Sequence, residues 1–458
     1  MNSHRVLQTQ TCSEPQGEYV LYWMQRSKRI QNNYSLSHAT YLSNHHQVPL
    51  VVFFGVTDYY PDANLRHYHF MLSGLKELQT QFASLNISFV IGHVSPEKGC
   101  LQLMKHAIAL VMDAGYTYIE RKWRQWIYDH NPRTNMTIAE VEGDVVVPIK
   151  RAYPKASYSA RILRPKIMSQ MKNYLDETSP IEKQSVPSPI QYDINFKIID
   201  EPMEYLDLLD LDRSVQPSTR FISGENAALN QLKAFLDKSL SHYLLRNHPE
   251  HDYCSFLSPY LHFGQISPVT AVNAVLERLT HHAELDEAVS SFIEELVVRR
   301  ELAFNYVYYI ENYHDFQKMT EPWAYDTMDI HVADQRDYLY SLEDFETYNT
   351  HDPYWNAAMK EMVTTGFMHT YMRMYWCKKI IEWSIDYRTA YETALYLNNK
   401  YFLDGRDPNS YAGVAWCFGK HDRPWTERPV FGKLRYMNAN GLKRKFDIDT
   451  YVNRHINS

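Results

Sequence analysis

The sequence predicts two domains of different fold class, an α/β domain with a parallel sheet followed by an all-α domain. In the first third, short apolar runs alternate with amphipathic stretches, and after residue 223 apolar residues recur at helical spacing while strand signals almost vanish. The 458 residues suffice for two hydrophobic cores at about 100–200 residues per domain. We predict the first domain at residues 1–178, a linker at 179–217 and the helical domain at 218–458.

Five apolar runs in the first domain are predicted as strands, at residues 19–24, 49–56, 87–92, 107–115 and 145–149. Residues 65–85, between two of these runs, carry apolar side chains at helical spacing. Alternation of strands and helices predicts a parallel, Rossmann-like sheet. No GxGxxG follows a strand, so we do not expect a dinucleotide in this domain.

The segment at 179–217 contains several prolines and no sustained period, which is typical of a linker along the surface. Four stretches beyond it show helical apolar spacing and are predicted as helices, at 224–245, 268–283, 285–310 and the residues before Trp383. The second domain is therefore predicted to be all-α.

The overall charge of the chain is mildly unfavourable for a nucleic-acid partner, since the net charge is −7. Binding to DNA would need a local basic surface, because phosphate contacts dominate such affinity. Basic residues do cluster locally, at 299–300, 378–379 and 423–445. Aromatic residues make up 14% of the chain, which fits either a tyrosine-rich core or stacking and redox-active rings.

The five cysteines are scattered and show no CxxC or Cys/His ligand spacing, so neither a zinc site nor a disulfide framework is expected. Reduced thiols are typical of an intracellular protein. No run of 18 apolar residues and no apolar signal region occurs, which predicts a soluble protein of the nucleus or cytoplasm with no membrane partner. Motifs of nucleotide hydrolysis, zinc proteolysis and serine esterases are absent.

The stretch 398–437 is predicted to be a long irregular segment that forms part of a binding site, because it has little periodicity and several aromatic residues. Trp416 and Trp425 offer flat apolar faces. Asp404 and Asp407 can accept hydrogen bonds from the N–H groups of a heterocycle. These residues indicate a planar, hydrogen-bonding ligand such as a flavin or a base.

Four sequence blocks, in order, carry a resemblance to a known family: LSPYLHFGQIS, EELVVRREL, HTYMRMYWCKKIIEW and LDGRDPNSYAGVAWCFGKHDRPW. A weaker fifth block, YWMQRSKRIQNNYSL, opens the N-terminal half. The chain resembles the class II cyclobutane pyrimidine dimer photolyases, carbon–carbon lyases that use light and a flavin to repair ultraviolet-damaged DNA. The resemblance covers nearly the whole chain.

The resemblance implies the photolyase/cryptochrome architecture, with FAD in the helical domain. Fully reduced FAD would pass an electron to a flipped-out dimer and recover it after the ring splits. It also implies damaged double-stranded DNA as partner and a monomeric enzyme without a metal. A second, antenna chromophore of the deazaflavin or folate type belongs to the same expectation, and the sequence does not identify it.

The resemblance assigns the catalytic carboxylate to Glu295, which would hydrogen-bond the dimer, with Glu301 as the alternative register. From the residues alone, Glu295 and Arg299 are i, i+4 on a helix and would form a solvated ion pair. Many photolyases place a lesion-stacking Trp after this Glu, whereas Val298 and Arg299 stand here. Asn398, otherwise a helix-end residue, is implied to face the flavin N5.

Trp376 and Trp383 are seven residues apart, which on the residues alone indicates two turns of one helix face and ordinary core packing. With Trp355 they match the tryptophan chain of class II photolyases. The resemblance places Trp376 nearest the flavin, Trp355 in the middle and Trp383 outermost.

The remaining site predictions concern the cofactor and the DNA. By resemblance, the FAD contacts are Tyr243, Ser255, Phe256, Leu257, Ser258, Arg373, Asn398, Asp404 and Asp407, with Arg246 as a further contact. Hydroxyls at a helix start suit a pyrophosphate, although SFLSP is also an ordinary helix cap. The lesion and DNA contacts are predicted to be Glu295, Met374, Trp416, Arg423, Arg435 and Lys443.

Three other functions stay open at this level. A cryptochrome-like photoreceptor would keep the flavin and the tryptophans without repair. A (6–4) photolyase would need a catalytic histidine, for which His262 and His369 are available. A DNA-binding module without light chemistry is the third.

Overall fold

The computed structural model describes residues 3–175, 181, 183–187 and 194–456. Within these residues, seven strands form a single sheet: β1 (Val6–Gln10), β2 (Tyr19–Trp23), β3 (Leu50–Val56), β4 (Ser88–His93), β5 (Ala107–Asp113), β6 (Thr137–Val141) and β7 (Lys197–Ile198). Their order across the sheet is β1-β6-β5-β2-β3-β4-β7. The five inner strands are parallel, and the edge strands β1 and β7 pair antiparallel.

The helices of the N-terminal part are α1 (Tyr34–His46), α2 (Leu65–Ser84), α3 (Pro96–Met104), α4 (Tyr118–His130), α5 (Ile149–Ala152) and α6 (Ala160–Leu175). The later helices are α7 (Glu225–Lys238), α8 (Ser258–His262), α9 (Pro268–His281), α10 (Asp286–Ile293), α11 (Arg300–Tyr309), α12 (Pro322–His331), α13 (Leu342–Glu346), α14 (Pro353–Thr365), α15 (Thr370–Trp383), α16 (Tyr387–Tyr401), α17 (Pro408–Cys417), α18 (Ala439–Lys445) and α19 (Ile448–Ile456). Short 3₁₀ turns occupy Ser3–Arg5, Glu204–Leu208, Leu240–Leu245 and Ala283–Leu285.

The central strands form because their side chains are apolar on both sides. Every residue of β2, β3 and β5 is buried, as expected for parallel strands covered on both faces. One face packs against α3 and α4, and the other contacts α1, α2 and the first helices of the helical domain. The first four predicted strands are confirmed, whereas β1 and β6 were missed because they are short and partly polar.

The predicted strand at 145–149 is wrong, although it is buried. Backbone N–H and carbonyl groups of this run form hydrogen bonds with side chains instead of with a neighbouring strand. Glu301 accepts from the N–H groups of Val146 and Val147 at 2.5 and 3.4 Å. Arg5 donates to the carbonyls of Val145 and Val146 at 2.9 and 2.8 Å. An apolar run can therefore be a core loop when buried charged groups bond its peptides.

The predicted helix at 285–310 is continuous but contains one unusual segment. Between α10 and α11, residues Glu294–Arg299 form a π-helix, whose hydrogen bonds run from residue i to i+5. The 398–437 segment is less irregular than predicted, since α17 lies within it. Asp407 caps this helix by accepting from the N–H of Asn409 at 3.0 Å, and Pro408 occupies its first position.

The observed architecture confirms the predicted fold class, a parallel α/β domain followed by a helical domain. The domain boundaries stay a prediction. Part of the predicted linker lies outside the described residues, and a described part of it contributes β7 to the sheet. Across the described ranges, no helix combines the length and apolarity needed to span a bilayer.

Candidate cofactor and lesion site

Helix α15 brings Arg373 to the loop that follows α16. One of its terminal nitrogens lies 3.1 and 3.2 Å from the two carboxylate oxygens of Asp404, and Nε donates to the carbonyl of Met368 at 3.0 Å. The guanidinium also lies 3.9 Å from the ring centre of Phe402. Arg373 and Asp404, both predicted as cofactor contacts, are therefore paired, and this ion pair fixes the position of the carboxylate.

The segment before α8 lies against the same helix. Phe256 has a positive φ of 54° and packs edge-to-face on Phe367 at 5.1 Å. Arg373 lies 5.6 Å from the ring of Phe367, and Arg220 lies 4.3 Å from the ring of Phe256. Ser255 and Ser258 are half-buried here, whereas Leu257 is part of the core. The predicted phosphate segment and the Arg373–Asp404 pair thus border one region.

A second set of contacts links this segment to the predicted catalytic carboxylate. The thiol of Cys254 lies 3.8 Å from the carbonyl of Arg246. The Arg246 guanidinium lies 4.9 Å from the ring centre of Tyr243 and donates to Glu295 at 3.0 Å and to Ser291 at 2.8 Å. Contacts therefore run continuously from the predicted cofactor residues to Glu295.

Glu295 occupies the π-helix, and its side chain is 43% exposed. The expected ion pair with Arg299 is wrong: Arg299 donates to Glu294 at 2.9 Å, and Glu294 also pairs with Arg164 at 2.7 Å. The wider π-helical turn places residues i and i+5 on one face, so Arg299 faces Glu294. Glu295 therefore contacts Arg246 and solvent instead of Arg299.

Glu301, the alternative register, has a different environment. It is 3% exposed, and its oxygens accept from the backbone of the loop at Val146 and Val147. Burial raises the pKa of Glu301 to about 8, against the lowering effect of those backbone N–H groups and of Arg300. Glu301 therefore holds the loop at Val146 and Val147 against α11. Glu295 is the carboxylate of the two that solvent can reach.

Asn398 lies near the end of α16, close to the turn that carries Asp404. Its amide donates to the side-chain oxygen of Asn399 at 3.1 Å, and its carbonyl accepts from Phe402 at 3.1 Å. A Cβ on Gly405 would lie 2.8 Å from the carbonyl oxygen of Asn398, so only glycine fits this tight turn. The turn thereby brings Asn398 and Asp404 close together.

Asp407 points away from Asp404, toward the N-terminal domain. Its carboxylate lies 3.1 Å from Nδ1 of His262 and 3.9 Å from Arg26. Burial alone would raise the pKa of Asp407, but the hydrogen bond from His262 and the charges of Arg26 and Arg300 hold it well below its usual value. The predicted cofactor role of Asp407 stays a prediction, and its oxygens already have protein partners.

The three tryptophans are buried and in contact. The indole N–H of Trp355 donates to the backbone carbonyl of Trp376 at 3.0 Å, and the rings of Trp355 and Trp383 are 6.1 Å apart, edge-to-face. Trp376 also lies 6.2 Å from Phe402, the ring on which Arg373 rests. The contacts run from Trp376 to Trp355 to Trp383, while the predicted order relative to a flavin stays a prediction.

A partly exposed cluster of cations and indoles is formed by the end of α17 and the segment after it. Arg435 lies 5.3 Å from the ring centre of Trp416 and 5.0 Å from that of Trp425, and Arg423 lies 5.5 Å from Trp425. Trp425 is 39% exposed. We call these four residues the indole–arginine cluster. Met374 is half-buried on α15.

Lys443 was predicted to contribute to the same DNA surface, but its contacts are with another part of the chain. It lies 5.5 Å from the ring centre of Tyr354, on α14. The hydrogen bond that the Lys443 ammonium donates to Tyr354 raises the pKa of Lys443. Lys443 therefore does not share the Trp425 ring that Arg423 and Arg435 both contact. Its role in DNA binding stays a prediction.

A cleft with a cavity volume of about 110 Å³ opens at the carboxyl ends of the parallel strands. Its walls are formed by residues after β2, β3 and β4, by α4, and by His262, Phe263 and Arg406 of the helical domain. The order of the sheet reverses between β2 and β5, where open α/β sheets usually bind ligands. The sequence analysis predicted no residue of this cleft.

The loop after β2 is fixed by one carboxylate at the end of β5. Asp113 accepts from the backbone N–H groups of Gln25, Arg26 and Ser27 at 2.9, 2.8 and 3.0 Å. Among the side-chain atoms of this loop that are buried without a hydrogen bond in the described chain are Oε1 of Gln25 and Nη2 of Arg26, the latter 3.9 Å from a carboxylate oxygen of Asp407. Gln25 and Arg26 both line the cleft, which indicates that a polar ligand would complete their bonding.

Lys28 adds a positive charge to the same cleft. Its ammonium lies 5.5 Å from the ring of Phe54 and donates to the carbonyl of Gln25 at 2.6 Å. Burial lowers the pKa of Lys28 to about 8, and the charge of Arg26 acts in the same direction. The sequence carried one signal for this site, the polar QRSK run directly after an apolar strand.

Arg220 and Phe367 were also missed, although both contact Phe256. Neither lies in a motif, because they come from the first residues of the predicted helical domain and from the turn before α15. Only the tertiary structure brings them to the serine segment.

The comparisons with known proteins agree with this architecture. The DNA photolyase family profile matches residues 20–187. A deoxyribodipyrimidine photo-lyase of Methanothermobacter thermautotrophicus is 43% identical over 96% of this chain and 94% of its own. One of Potorous tridactylus, with the same name, is 37% identical over 98% of this chain and 83% of its own.

The chain belongs to the DNA photolyase family. The predicted family and the prediction of an enzyme are thereby confirmed, while the assignment to class II stays a prediction. Two solved structures share the fold. A cryptochrome of Synechocystis has a TM-score of 0.75 at 15% identity, covering 98% of this chain and 90% of its own. An archaeal photolyase of Sulfolobus tokodaii, described with two FAD molecules, has a TM-score of 0.69 at 15% identity, covering 96% and 90%.

Proposed function

We propose that this chain is a light-driven cyclobutane pyrimidine dimer photolyase of class II. The observation that carries the proposal is the continuous set of contacts from Asp404, through Arg373 and Phe367, to the segment before α8. From that segment, Arg246 extends the contacts to the exposed carboxylate of Glu295. One region therefore combines groups suited to a flavin with one suited to a dimer.

The side chains of this region fit FAD. Guanidinium groups of Arg220 and Arg373, with the hydroxyls of Ser255 and Ser258, are the donors that a pyrophosphate and a flavin ring require. Asp404 supplies an acceptor for a ring N–H. Bound in its reduced form, FAD would supply on excitation the electron that splits the cyclobutane ring, and would recover it afterwards.

The proposed role of Glu295 is to hydrogen-bond the dimer, as a carboxylate that accepts from a ring N–H or, once protonated, as a donor to a carbonyl. Its 43% exposure leaves it accessible, and the 3.0 Å bond from Arg246 holds its position. The Arg246 guanidinium also places positive charge beside the carbonyl on which negative charge would develop. Arg246 is therefore a positioning residue for the catalytic carboxylate.

Trp376, Trp355 and Trp383 would return the cofactor to its reduced state by passing electrons inward from Trp383. Their contacts, 3.0 Å from the Trp355 nitrogen to the Trp376 carbonyl and 6.1 Å between the Trp355 and Trp383 ring centres, support this order. Packing alone would also bury three indoles, so the electron role depends on the photoreduction test described in the Discussion.

The DNA surface is proposed to be the indole–arginine cluster. Arg423 and Arg435 would contact phosphates, and Trp416 with Met374 would line the pocket for an extruded pyrimidine pair. A dimer costs less to unstack than normal bases, which favours the lesion. Damaged duplex DNA is thus the proposed partner.

The (6–4) photolyase alternative receives less support because both candidate histidines already form hydrogen bonds within the protein. His262 pairs with Asp407 at 3.1 Å, and His369 is 4% exposed and caps α15 by accepting from the N–H of Tyr371 at 3.3 Å. Burial lowers the pKa of His369 to about 4, so it is a poor proton donor near neutrality. The photoreceptor alternative shares the fold and needs a functional test.

The test compares two matched duplexes, one with a single thymine dimer and one with a single (6–4) photoproduct. Each is incubated with flavin-loaded protein in blue light and in the dark, and the lesion is quantified by chromatography. We expect light-dependent loss of the dimer only. Repair of the (6–4) product, or no repair of either by fully loaded protein, would favour one of the alternative functions.

The cleft of the α/β domain is a second candidate site, for the antenna chromophore. The Arg26 nitrogen and the Gln25 oxygen that lack a hydrogen bond in the described chain, with the ammonium of Lys28, fit a planar ligand with polar or anionic edges. An absorption spectrum of purified protein, before and after Lys28→Met, tests this. A second absorption band that the variant loses, with FAD retained, supports it, whereas a spectrum of FAD alone in both would remove the proposal.

A further inference from the structure

A ring cluster joins the outermost tryptophan to the surface. The ring of Trp383 lies 5.6 Å from that of Tyr340 and 5.0 Å from that of His351, both edge-to-face. Tyr338 stacks on His351 at 3.6 Å and is 46% exposed. These three residues lie between Trp383, which is 3% exposed, and solvent.

Tyr340 is held in place by three hydrogen bonds. Its hydroxyl lies 2.8 Å from Nδ1 of His351 and accepts from the backbone N–H of His351 at 2.9 Å. Its own backbone N–H donates to the carbonyl of Trp383 at 3.1 Å. The hydroxyl oxygen that accepts from the backbone still carries its own proton, which it donates to Nδ1 when the imidazole has its hydrogen on Nε2.

This arrangement has the requirements of a proton-coupled electron donor. A phenol loses an electron far more readily when a base accepts its proton in the same step, and the imidazole of His351 is an exposed base within hydrogen-bond distance. Trp383 is in van der Waals reach of both rings. Tyr338, by contrast, stacks on the imidazole face, and no hydrogen bond of its hydroxyl to His351 is found in the described chain.

We infer that Tyr340 and His351 form the terminal electron donor of the tryptophan chain. Light leaves the electron hole on Trp383 as a radical cation. Tyr340 transfers one electron to Trp383 and its phenolic proton to Nδ1 of His351, so that neutral Trp383, a neutral tyrosyl radical and an imidazolium result. An added thiol then returns one hydrogen atom to the tyrosyl oxygen, while His351 releases its proton to solvent.

The consequence is a longer-lived charge separation. The electron on the cofactor would otherwise return to Trp383, and moving the hole to a deprotonated phenol prevents this, because reversal requires the proton to return as well. This inference rests on the proposed tryptophan chain.

The experiment uses flavin-loaded protein, illuminated without added reductant and examined by electron paramagnetic resonance. Incorporation of ring-deuterated tyrosine identifies a tyrosyl signal through its narrowed hyperfine pattern. We expect a tyrosyl radical in the native chain and in Tyr338→Phe, and its replacement by a tryptophan radical in Tyr340→Phe. His351→Phe keeps a ring against Trp383 but removes the acceptor, and should slow tyrosine oxidation at least tenfold.

The outcomes separate this inference from the proposed function. A native chain that photoreduces its flavin but shows only a tryptophan radical overturns the role of Tyr340 and leaves the tryptophan chain intact. A tyrosyl signal that persists in Tyr340→Phe overturns it equally. Photoreduction that survives in both Trp376→Phe and Trp383→Phe overturns the tryptophan chain, and the inference with it.

Discussion

The indole N–H of Trp355 donates to the main-chain carbonyl of Trp376 over 3.0 Å. This bond ties α14 to α15 and places the middle indole next to the backbone of the inner one. Trp383, two turns further along α15, lies on the other side of Trp355. Helical spacing alone put Trp376 and Trp383 on one helix, but the structure shows that an indole from a second helix joins them.

We predict that Trp376→Phe abolishes light-driven reduction of oxidised flavin and leaves repair intact after chemical reduction. Phenylalanine fills most of the buried volume but is much harder to oxidise. The measurement is the loss of flavin absorbance under blue light, followed by a repair assay on dithionite-reduced protein. Trp323→Phe, a half-buried indole outside the chain of three, is the control. Normal photoreduction in Trp376→Phe would reduce the tryptophans to packing residues.

We predict that Glu295→Ala retains FAD but lowers the repair yield, because a hydrogen bond to the dimer is lost. Bonds to charged groups contribute about 1.5–3 kcal/mol, which corresponds to roughly a 10–150-fold effect. The matched control is Glu294→Ala on the same π-helix, whose carboxylate is bound by Arg164 and Arg299. Equal repair by the Glu295 and Glu294 variants would contradict the assignment.

Arg373→Met should release the flavin. The change keeps an unbranched, flexible side chain but removes the charge that fixes Asp404, so the acceptor for the ring is no longer held in place. The ratio of flavin to protein after gel filtration reports the result, and we expect a loss of at least tenfold in affinity. Arg388→Met removes a surface charge that pairs with Glu392 and should leave the ratio unchanged.

Stability should decrease from mildly acidic to alkaline pH because of Glu301. Burial raises its pKa from 4.5 to about 8 in the folded chain. The folded state therefore binds the proton more tightly, and the resulting stability is present below the unfolded pKa and is lost as the pH rises through about 8. Glu301→Gln cannot ionise. The free energy of unfolding, measured with urea at about pH 6 and about pH 9, should fall less between these two pH values in Glu301→Gln than in the native chain. An equal fall in both proteins would exclude Glu301 as its source.

Binding to a duplex with one dimer should weaken as the salt concentration rises. Arg435→Ala should reduce the magnitude of the slope of the logarithm of the binding constant against the logarithm of the salt concentration by about one. Arg435 joins Trp416 and Trp425 in the indole–arginine cluster, so its charge lies at the proposed DNA surface. Lys443→Ala is the matched comparison, since Lys443 contacts Tyr354 instead. A larger change in the salt dependence with the Lys443 variant would place the DNA at the surface around Lys443 and Tyr354 instead.

The sequence by itself determined the order of the elements and the family. Apolar runs predicted β2, β3, β4 and β5, because strands covered on both faces must be apolar throughout. The motif blocks carried Asp404, Glu295, Trp376 and Trp383, because such residues lie close to recognisable neighbours in the chain. These predictions depend on local patterns, which a sequence records directly.

Tertiary structure decided how buried charges are satisfied. The run at 145–149 has the composition of a strand, yet Glu301 and Arg5, distant in sequence, bond its peptides and make it a loop. Asp404 and Asp407 are three residues apart, but one meets Arg373 and the other meets His262. Which partner a buried charge finds depends on chain segments that no local pattern connects, and only folding brings them together.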